Sequence, residues 1–178
     1  MVARELLSPS NGSEPHAFRA KLILRTDKGG EVVLDRQEHG YILLTLVSSL
    51  EKTFTISPAS RPLDGKLRIV HFGPEKGEEV WRLMSLAYQG GKHVEEENVA
   101  YEHVRGMRIE FLERDWDEQK GERDDMEGRW RRVCIDGLIV RVEEGGWMEV
   151  SEVPQEEWVV DVVATPGIRG GDAISNTM

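Results

Sequence analysis

The sequence is poor in cysteine, in positive charge and in long apolar runs. A single cysteine, Cys134, cannot form an internal disulfide in this chain of 178 residues, which is typical of a reducing compartment such as the cytosol. Acidic residues outnumber basic ones by 33 to 23, giving a formal net charge of -10. Because nucleic-acid backbones attract lysine and arginine, this balance argues against nucleic acid as a partner. The longest apolar run, residues 41–50, is interrupted by Thr45, Ser48 and Ser49 and is too short to cross a bilayer.

Several common catalytic and metal-binding motifs are also absent. No serine lies in a G-x-S-x-G elbow, and no G-x-x-x-x-G-K-[ST] loop is present to bind phosphates. The histidines are scattered, without a pair at helical ligand spacing, so a zinc site is not expected. Cys134 lies in an apolar stretch with no histidine near it in sequence, and we interpret it as a buried core residue rather than a nucleophile.

Composition divides the chain into three segments. Residues 1–17 are polar and lack a hydrophobic period, and residues 164–178 are rich in glycine and small polar residues, so we expect a flexible leader and a flexible tail. Residues 18–163 have the composition of one folded domain. Inside it, residues 113–128 are mostly charged and lack the spacing of a calcium loop, which predicts a solvated insertion.

The domain shows mainly the period-two pattern of β-strands. Residues 21–25 and 31–34 flank the turn Asp27-Lys28-Gly29-Gly30 and predict a hairpin. Residues 107–111 alternate between apolar and charged side chains, so one face of that strand is expected to be buried. The continuous apolar run at 41–47 predicts a strand that is buried on both faces.

The strongest hairpin signal is Asp136-Gly137. Both central positions of a type I′ turn need positive φ, which Asp and Gly tolerate, and strand-like residues 130–135 and 138–142 flank the pair. Residues 147–150 and 158–163 predict further strands.

One segment has the period of a helix. Residues 77–88 carry apolar side chains at spacings of three and four, and Gly90-Gly91 follows as a stop. The pattern therefore predicts a mainly β, α+β fold, in which one helix packs across a β-sandwich or a partly open barrel.

An ordered set of motifs gives more specific information. The set contains, in chain order, the segment Ser57-Pro58-Ala59-Ser60, the turn Leu63-Asp64-Gly65 before a strand, the helix, Gly90-Gly91-Lys92-His93 and the hairpin Asp136-Gly137. This order resembles the C-terminal lobe of the diacylglycerol kinase and sphingosine kinase superfamily of lipid kinases, and within it most closely the sphingoid long-chain-base kinases. The resemblance implies the substrate-side, β-sandwich lobe of an ATP-dependent kinase that phosphorylates a sphingoid base or diacylglycerol.

The resemblance also implies a second, N-terminal kinase lobe. That lobe carries a Gly-Gly-Asp-Gly loop for ATP in the family, and catalysis takes place in the cleft between the lobes. The motif Gly170-Gly171-Asp172-Ala173 is not a substitute, because it follows the sandwich and lacks a strand-turn-helix context. We therefore expect this chain to have no ATP site of its own and to be inactive alone.

Asp64 is the candidate metal ligand. The resemblance implies that an acid in this turn helps to hold Mg²⁺, together with backbone carbonyls such as those of Arg61 and Lys66, and Mg²⁺ prefers such oxygen ligands. The alternative is that Asp64 only shapes an Asp-Gly turn.

Asp136 is a weaker catalytic candidate. It matches the second Asp-Gly of the family, but bacterial relatives place a glutamate after that glycine as the base, and this chain has Leu138 there. Leucine cannot accept a proton, whereas sphingosine kinases are thought to take their base from the other lobe. We therefore interpret Asp136 as structural, with catalysis as the alternative.

A lipid substrate requires an apolar pocket, which Phe54, Trp81, Leu86 and Tyr88 could line, although the same residues could form core. The expected location is the cytosol, with peripheral contact to membranes and no transmembrane segment. A different function is also compatible with the sequence, namely a non-catalytic β-rich binding or interaction module that kept the fold and lost the chemistry.

Overall fold

The structure, a computed structural model, describes residues 17–113, 116–117, 122–123 and 130–153. Within these residues the fold is mainly β with one α-helix, as the sequence predicts. The helix α1 is Gly77–Ala87, and a 3-10 turn follows at Lys92–Glu95. The strands are β1 (Phe18–Arg25), β2 (Glu31–Val33), β3 (Glu38–His39), β4 (Tyr41–Thr45), β5 (Ser49–Glu51), β6 (Phe54–Thr55), β7 (Arg68–Phe72), β8 (Val99–His103), β9 (Gly106–Phe111), β10 (Trp116–Asp117), β11 (Glu122–Arg123), β12 (Arg132–Ile135), β13 (Leu138–Arg141) and β14 (Trp147–Ser151).

The larger sheet is antiparallel and has the order β14-β9-β1-β2, with β3 pairing with the start of β1. Leu22 of β1 lies opposite Ile109 of β9, which in turn lies opposite Met148 of β14. Leu22 and Ile109 are buried, whereas Arg108 and Glu110 on the opposite face are only half-buried. The predicted amphipathic strand at 107–111 and the β1–β2 hairpin are therefore confirmed.

The smaller sheet has the order β4-β7-β8, and its central strand β7 is buried on both faces. Ile69 packs into the core between the two sheets. Val70 and Phe72 point the other way, into a second core that they share with Leu83 of helix α1. The result is three layers, a sandwich of two sheets with the helix packed across the outer face of the smaller one.

Helix α1 buries one face and leaves the other in solvent. Leu83 and Ala87 are completely buried, whereas Trp81 is exposed. The helix ends as predicted before Gly90 and Gly91, which both have positive φ and so cannot continue it.

The hairpin of β12 and β13 corrects the interpretation of Cys134. Asp136 and Gly137 have φ of 47° and 88°, as expected for a type I′ turn. Cys134, however, is exposed and lies opposite Ile139, so its prediction as a core residue is wrong. The reason is that β12 and β13 form a separate two-stranded ribbon in the described part of the chain, and only Val133 on its other face reaches the core.

The run at 41–47 is buried less than its composition predicts. Strand β4 ends at Thr45, and Leu46 and Val47 are both more than half exposed. The strand lies at the edge of the smaller sheet, where its side chains are covered only in part. The expectation of burial on both faces is therefore wrong for this segment.

Several predicted segments lie outside the described residues. They are nearly all of the leader, the tail, the strand at 158–163 and the motif at 170–173. Of the charged insertion, β10 and β11 are described as a short antiparallel pair. No helix among the described residues is long and apolar enough to span a membrane.

Candidate functional site

The segment between β6 and β7 carries Asp64, and residues 61–68 are called the Asp64 turn below. The Asp64 backbone N–H donates to the Arg61 carbonyl at 3.2 Å. Leu63 and Gly65 on either side have φ of 62° and 64°. The left-handed conformation suits glycine but is unfavourable for Leu63, so surrounding contacts must hold the turn in place.

Those contacts converge on the Asp64 carboxylate. Oδ1 accepts a hydrogen bond from the Lys66 backbone N–H at 2.9 Å, and Oδ2 accepts from the Arg61 backbone N–H at 3.2 Å and from Arg68 Nη1 at 3.1 Å. The side chains of Asp64 and Arg68 are only 6% and 11% exposed. Burial opposes ionisation, but the hydrogen bonds from Lys66, Arg61 and Arg68 outweigh it and hold the pKa of Asp64 below its ordinary value.

The same contacts test whether this turn suits Mg²⁺. The Arg61 carbonyl already accepts the Asp64 N–H, and the Lys66 carbonyl accepts from Arg68 Nη1 at 3.3 Å. The positive charge beside Asp64 is therefore the Arg68 guanidinium, and both carboxylate oxygens already serve the turn. The three predicted ligands do lie together, but this arrangement does not fit a cation, and it favours the alternative in which Asp64 shapes the turn. Within the described residues, no group of three His, Cys, Asp or Glu side chains is placed to hold a metal.

A chain of hydroxyl groups connects the Asp64 turn to strand β8. Arg68 Nη1 donates to Ser60 Oγ at 3.3 Å, and Ser60 Oγ lies 2.7 Å from Ser57 Oγ. Ser57 Oγ in turn lies 2.8 Å from the hydroxyl of Tyr101, which also accepts the Ala59 N–H at 3.0 Å. The 57–68 loop is thus fastened at both ends to the smaller sheet.

Two of the sequence motifs meet beside this loop. A Cβ added to Gly91 would lie 3.0 Å from Cγ of Pro58, so the two backbones approach as closely as a glycine allows. His93, two residues further on, is completely buried near Ile56. The proline segment and the Gly-Gly-Lys-His segment therefore form one packed unit.

Replacing Gly91 with alanine should test this contact, and Gly90 provides a matched control. Both glycines have similar positive φ, 79° at Gly90 and 86° at Gly91, but a Cβ at Gly90 would meet nothing within 4 Å. We expect Gly90→Ala to lower the free energy of unfolding by about 1 kcal/mol through backbone strain alone. Gly91→Ala should cost about 1–2 kcal/mol more because it also collides with Pro58. Urea unfolding of both variants measures the difference, and equal losses would contradict the proposed contact.

Asp136 lies apart from the Asp64 turn. It is exposed at the end of the β12–β13 ribbon, and Leu138 beside it is 68% exposed. Its position in a type I′ turn supports the structural interpretation, and no hydrogen bond joins it to Asp64 within the described residues.

The four residues suggested for a lipid pocket are only partly core. Phe54 packs edge-on against Tyr88, with ring centroids 4.9 Å apart. Tyr88 and Trp81 are about half exposed, while Phe54 and Leu86 are half-buried. These side chains thus contribute exposed aromatic surface beside the second core.

A second polar cluster, here called the His103 cluster, has no local signal in the sequence. His103 Nδ1 lies 2.7 Å from Asp27 Oδ2, and His103 Nε2 lies 3.0 Å from Glu152 Oε1. Arg105 Nε lies 3.5 Å from the other Asp27 oxygen, and Glu152 Oε1 also accepts the Leu67 N–H at 3.3 Å. Glu152 thereby connects this cluster to the Asp64 turn. Asp27 and Glu152 are 76 and 49 residues from His103, so only the folded chain brings them together.

Three other histidines are buried in the interior. His39 Nε2 donates to the Ala20 carbonyl at 3.0 Å, but no hydrogen-bond partner within the described residues reaches His39 Nδ1 or either ring nitrogen of His71 and His93. Burial lowers the pKa of all three, most strongly for His71, whose pKa falls to about 4 with a further contribution from nearby His39 and Arg36. The Ile56 backbone opposes the lowering of the His93 pKa, although its contact with the ring does not have the distance or angle of a hydrogen bond. These histidines are therefore neutral at physiological pH.

No family model and no curated protein matches the chain. Among solved structures, the chain is similar to a protein from Bacillus anthracis str. Sterne that is described as a diacylglycerol kinase, with a TM-score of 0.43 and 14% sequence identity. The match covers 85% of this chain and 44% of that protein, so this chain spans less than half of its length. A likeness of this size assigns no activity to the chain.

Proposed function

We propose that this chain is the substrate-side lobe of an ATP-dependent lipid kinase that phosphorylates a sphingoid base or diacylglycerol. The observation that carries the proposal is the meeting of the sequence motifs: Pro58 packs on Gly91, and the loop between Pro58 and the Asp64 turn is fastened to the sheet by Tyr101. Motifs that are distant in sequence yet contact one another in a β-sandwich with a packed helix support a common functional region.

The proposal assigns the nucleotide chemistry to a partner lobe. ATP and its Mg²⁺ are bound there, because Asp64 is committed to Arg68 and to backbone N–H groups in this chain. The catalytic base also comes from that lobe, since Leu138 follows the Asp136-Gly137 turn. This chain contributes the surface that holds the lipid. It acts in the cytosol, in peripheral contact with membranes.

A radiolabelled kinase assay with sphingosine and with diacylglycerol tests this proposal. The chain alone should give no turnover, and adding a nucleotide-binding lobe from a sphingoid-base kinase should restore it on one of the two lipids. The partner lobe alone is the control for background activity. Absence of turnover in the mixture, while the two proteins form a complex, would contradict the proposal.

A non-catalytic interaction module is the second candidate. The observation that favours it is the apolar tip of the β12–β13 ribbon, where Ile135, Leu138 and Ile139 are all exposed. Such a patch is typical of a surface that another protein covers. This function predicts a folded chain that neither binds ATP nor supports phosphorylation in any mixture, and turnover in the assay above would exclude it.

A further inference from the structure

The His103 cluster has a geometry that depends on protonation. Both ring nitrogens of His103 face carboxylate oxygens, Asp27 Oδ2 at 2.7 Å and Glu152 Oε1 at 3.0 Å. Ionised carboxylates only accept hydrogen bonds, and both nitrogens of an imidazole can donate only when the ring is protonated. The hydrogen bond from His103 holds the pKa of Asp27 below its ordinary value, so that acid stays ionised. A neutral His103 ring can donate to only one of the two carboxylates, so both hydrogen bonds form only when the ring carries two N–H groups.

Charged groups from four parts of the fold surround this ring. Asp27 comes from the β1–β2 turn, Glu152 from the end of β14 and Arg105 from the segment after β8, while Arg68 of β7 is the cross-strand partner of His103. The side chains of the cluster add to the backbone hydrogen bonds that run here from Arg105 N–H to the Arg25 carbonyl and from Glu152 N–H to the Arg105 carbonyl.

The two carboxylates are not held equally. Glu152 is three-quarters buried, its Oε1 also accepts the Leu67 N–H, and its backbone N–H donates to the Arg105 carbonyl at 2.9 Å. Asp27 is more than half exposed and lies on a turn closed by the hydrogen bonds between Thr26 and Gly30 and from Gly29 to Thr26. When the ring loses a proton, the contact with Asp27 is therefore the one that breaks.

We propose that protonated His103 is a pH-dependent latch, which ties the β1–β2 turn to Glu152 and, through Leu67, to the Asp64 turn. Lower pH closes the latch, and higher pH releases Asp27 and loosens the turn that carries it. This inference does not depend on the kinase proposal, because it concerns only contacts within the chain.

Amide hydrogen exchange on the full chain, followed by NMR between pH 5.5 and 9.5, tests the latch. After correction for the intrinsic exchange rate, protection of the Thr26 and Gly29 amides should fall roughly two- to fivefold as pH rises, the size expected for a partly exposed ion pair. In His103→Gln this pH dependence should disappear, because glutamine does not titrate. The amide of Ile109 in the centre of the larger sheet is the control for global stability.

Two results would overturn the latch. One is constant protection of Thr26 and Gly29 in the wild type over the whole range, and the other is the same pH dependence in His103→Gln. If His103→Gln does not fold, Asp27→Asn tests the proposal with the ring intact. In that variant the Thr26 and Gly29 amides should show low protection at every pH. High protection that still falls with pH in Asp27→Asn would also overturn the proposal.

Discussion

Replacing His71 with leucine is expected to raise the free energy of unfolding at neutral pH by about 1–3 kcal/mol, the cost of leaving a buried polar group without a hydrogen bond. His71 lies on β7 at 6% exposure, and neither ring nitrogen has a partner within the described part of the chain. Leucine has a similar volume and needs no hydrogen bond in this buried position. A buried histidine whose ring nitrogens have no partner among the described residues therefore destabilises the fold, and an apolar side chain removes this cost.

With the same substitution, the free energy of unfolding should fall less as the pH is lowered. The pKa of His71 is about 4 in the folded chain, below the value of about 6.5 for a free histidine. Between these values the unfolded chain binds a proton that the folded chain excludes. The contribution of neutral His71 to the free energy of unfolding is therefore fully present above about pH 6.5 and is lost as pH falls toward 4. A shift of this size corresponds to roughly 3 kcal/mol. His39 and His93 shift in the same direction and add to the loss.

Urea unfolding of the wild type and His71→Leu at neutral and at acidic pH measures both effects. The difference between the two proteins isolates His71, since the other titrating groups are common to both. Parallel pH profiles for wild type and His71→Leu would show that His71 is protonated without cost in the fold.

Replacing Arg68 with methionine should lower the free energy of unfolding by about 3 kcal/mol or more, because it strands an ionised carboxylate in a nearly buried site. Arg68 donates to Asp64 and also to Ser60 and the Lys66 carbonyl, so the substitution disconnects the Asp64 turn from the hydroxyl chain. Methionine keeps the length of the aliphatic stem, so that most of the loss reports the missing charge and its hydrogen bonds.

Asp64→Asn and the double variant complete the test. Asparagine keeps one acceptor for the backbone N–H groups of Lys66 and Arg61, so Asp64→Asn should cost less than Arg68→Met, and the double variant should recover part of the loss. The pKa of Asp64 is lowered, so its contribution is present above about pH 3.8 and is lost as pH falls below that value. Millimolar Mg²⁺ should leave the melting temperature of the wild type unchanged. A rise that depends on Asp64 would instead support a metal ligand there.

Local patterns predicted much of the fold. Alternation at 107–111 gave strand β9 and its buried face, and Asp136-Gly137 gave the hairpin with both positive φ values. Helix α1 and its glycine stop follow from an apolar spacing of three and four. Each of these features depends on residues within one turn or one strand, where steric and hydrogen-bond preferences act without the rest of the chain.

The candidate site was predictable only in part. The motif order placed Asp64, Arg61 and Lys66 in one turn, and the structure does bring them together. The motif order could not show that Arg68 takes the place of a cation, because the first side chain of the strand after the turn can face either toward the acid or away from it. Nor could it give the His103 cluster, whose members come from widely separated segments.

The sequence by itself determined the class of fold, the helix α1, the tight turns and the acidic, disulfide-free character of the chain. Each of these follows from composition or from short-range geometry. Only the tertiary structure decided that Cys134 faces solvent, that His71 is buried with no hydrogen-bond partner among the described residues, and that Glu152 connects His103 to the Asp64 turn. Burial and long-range pairing depend on which layer covers a strand, and that is a property of the packed chain.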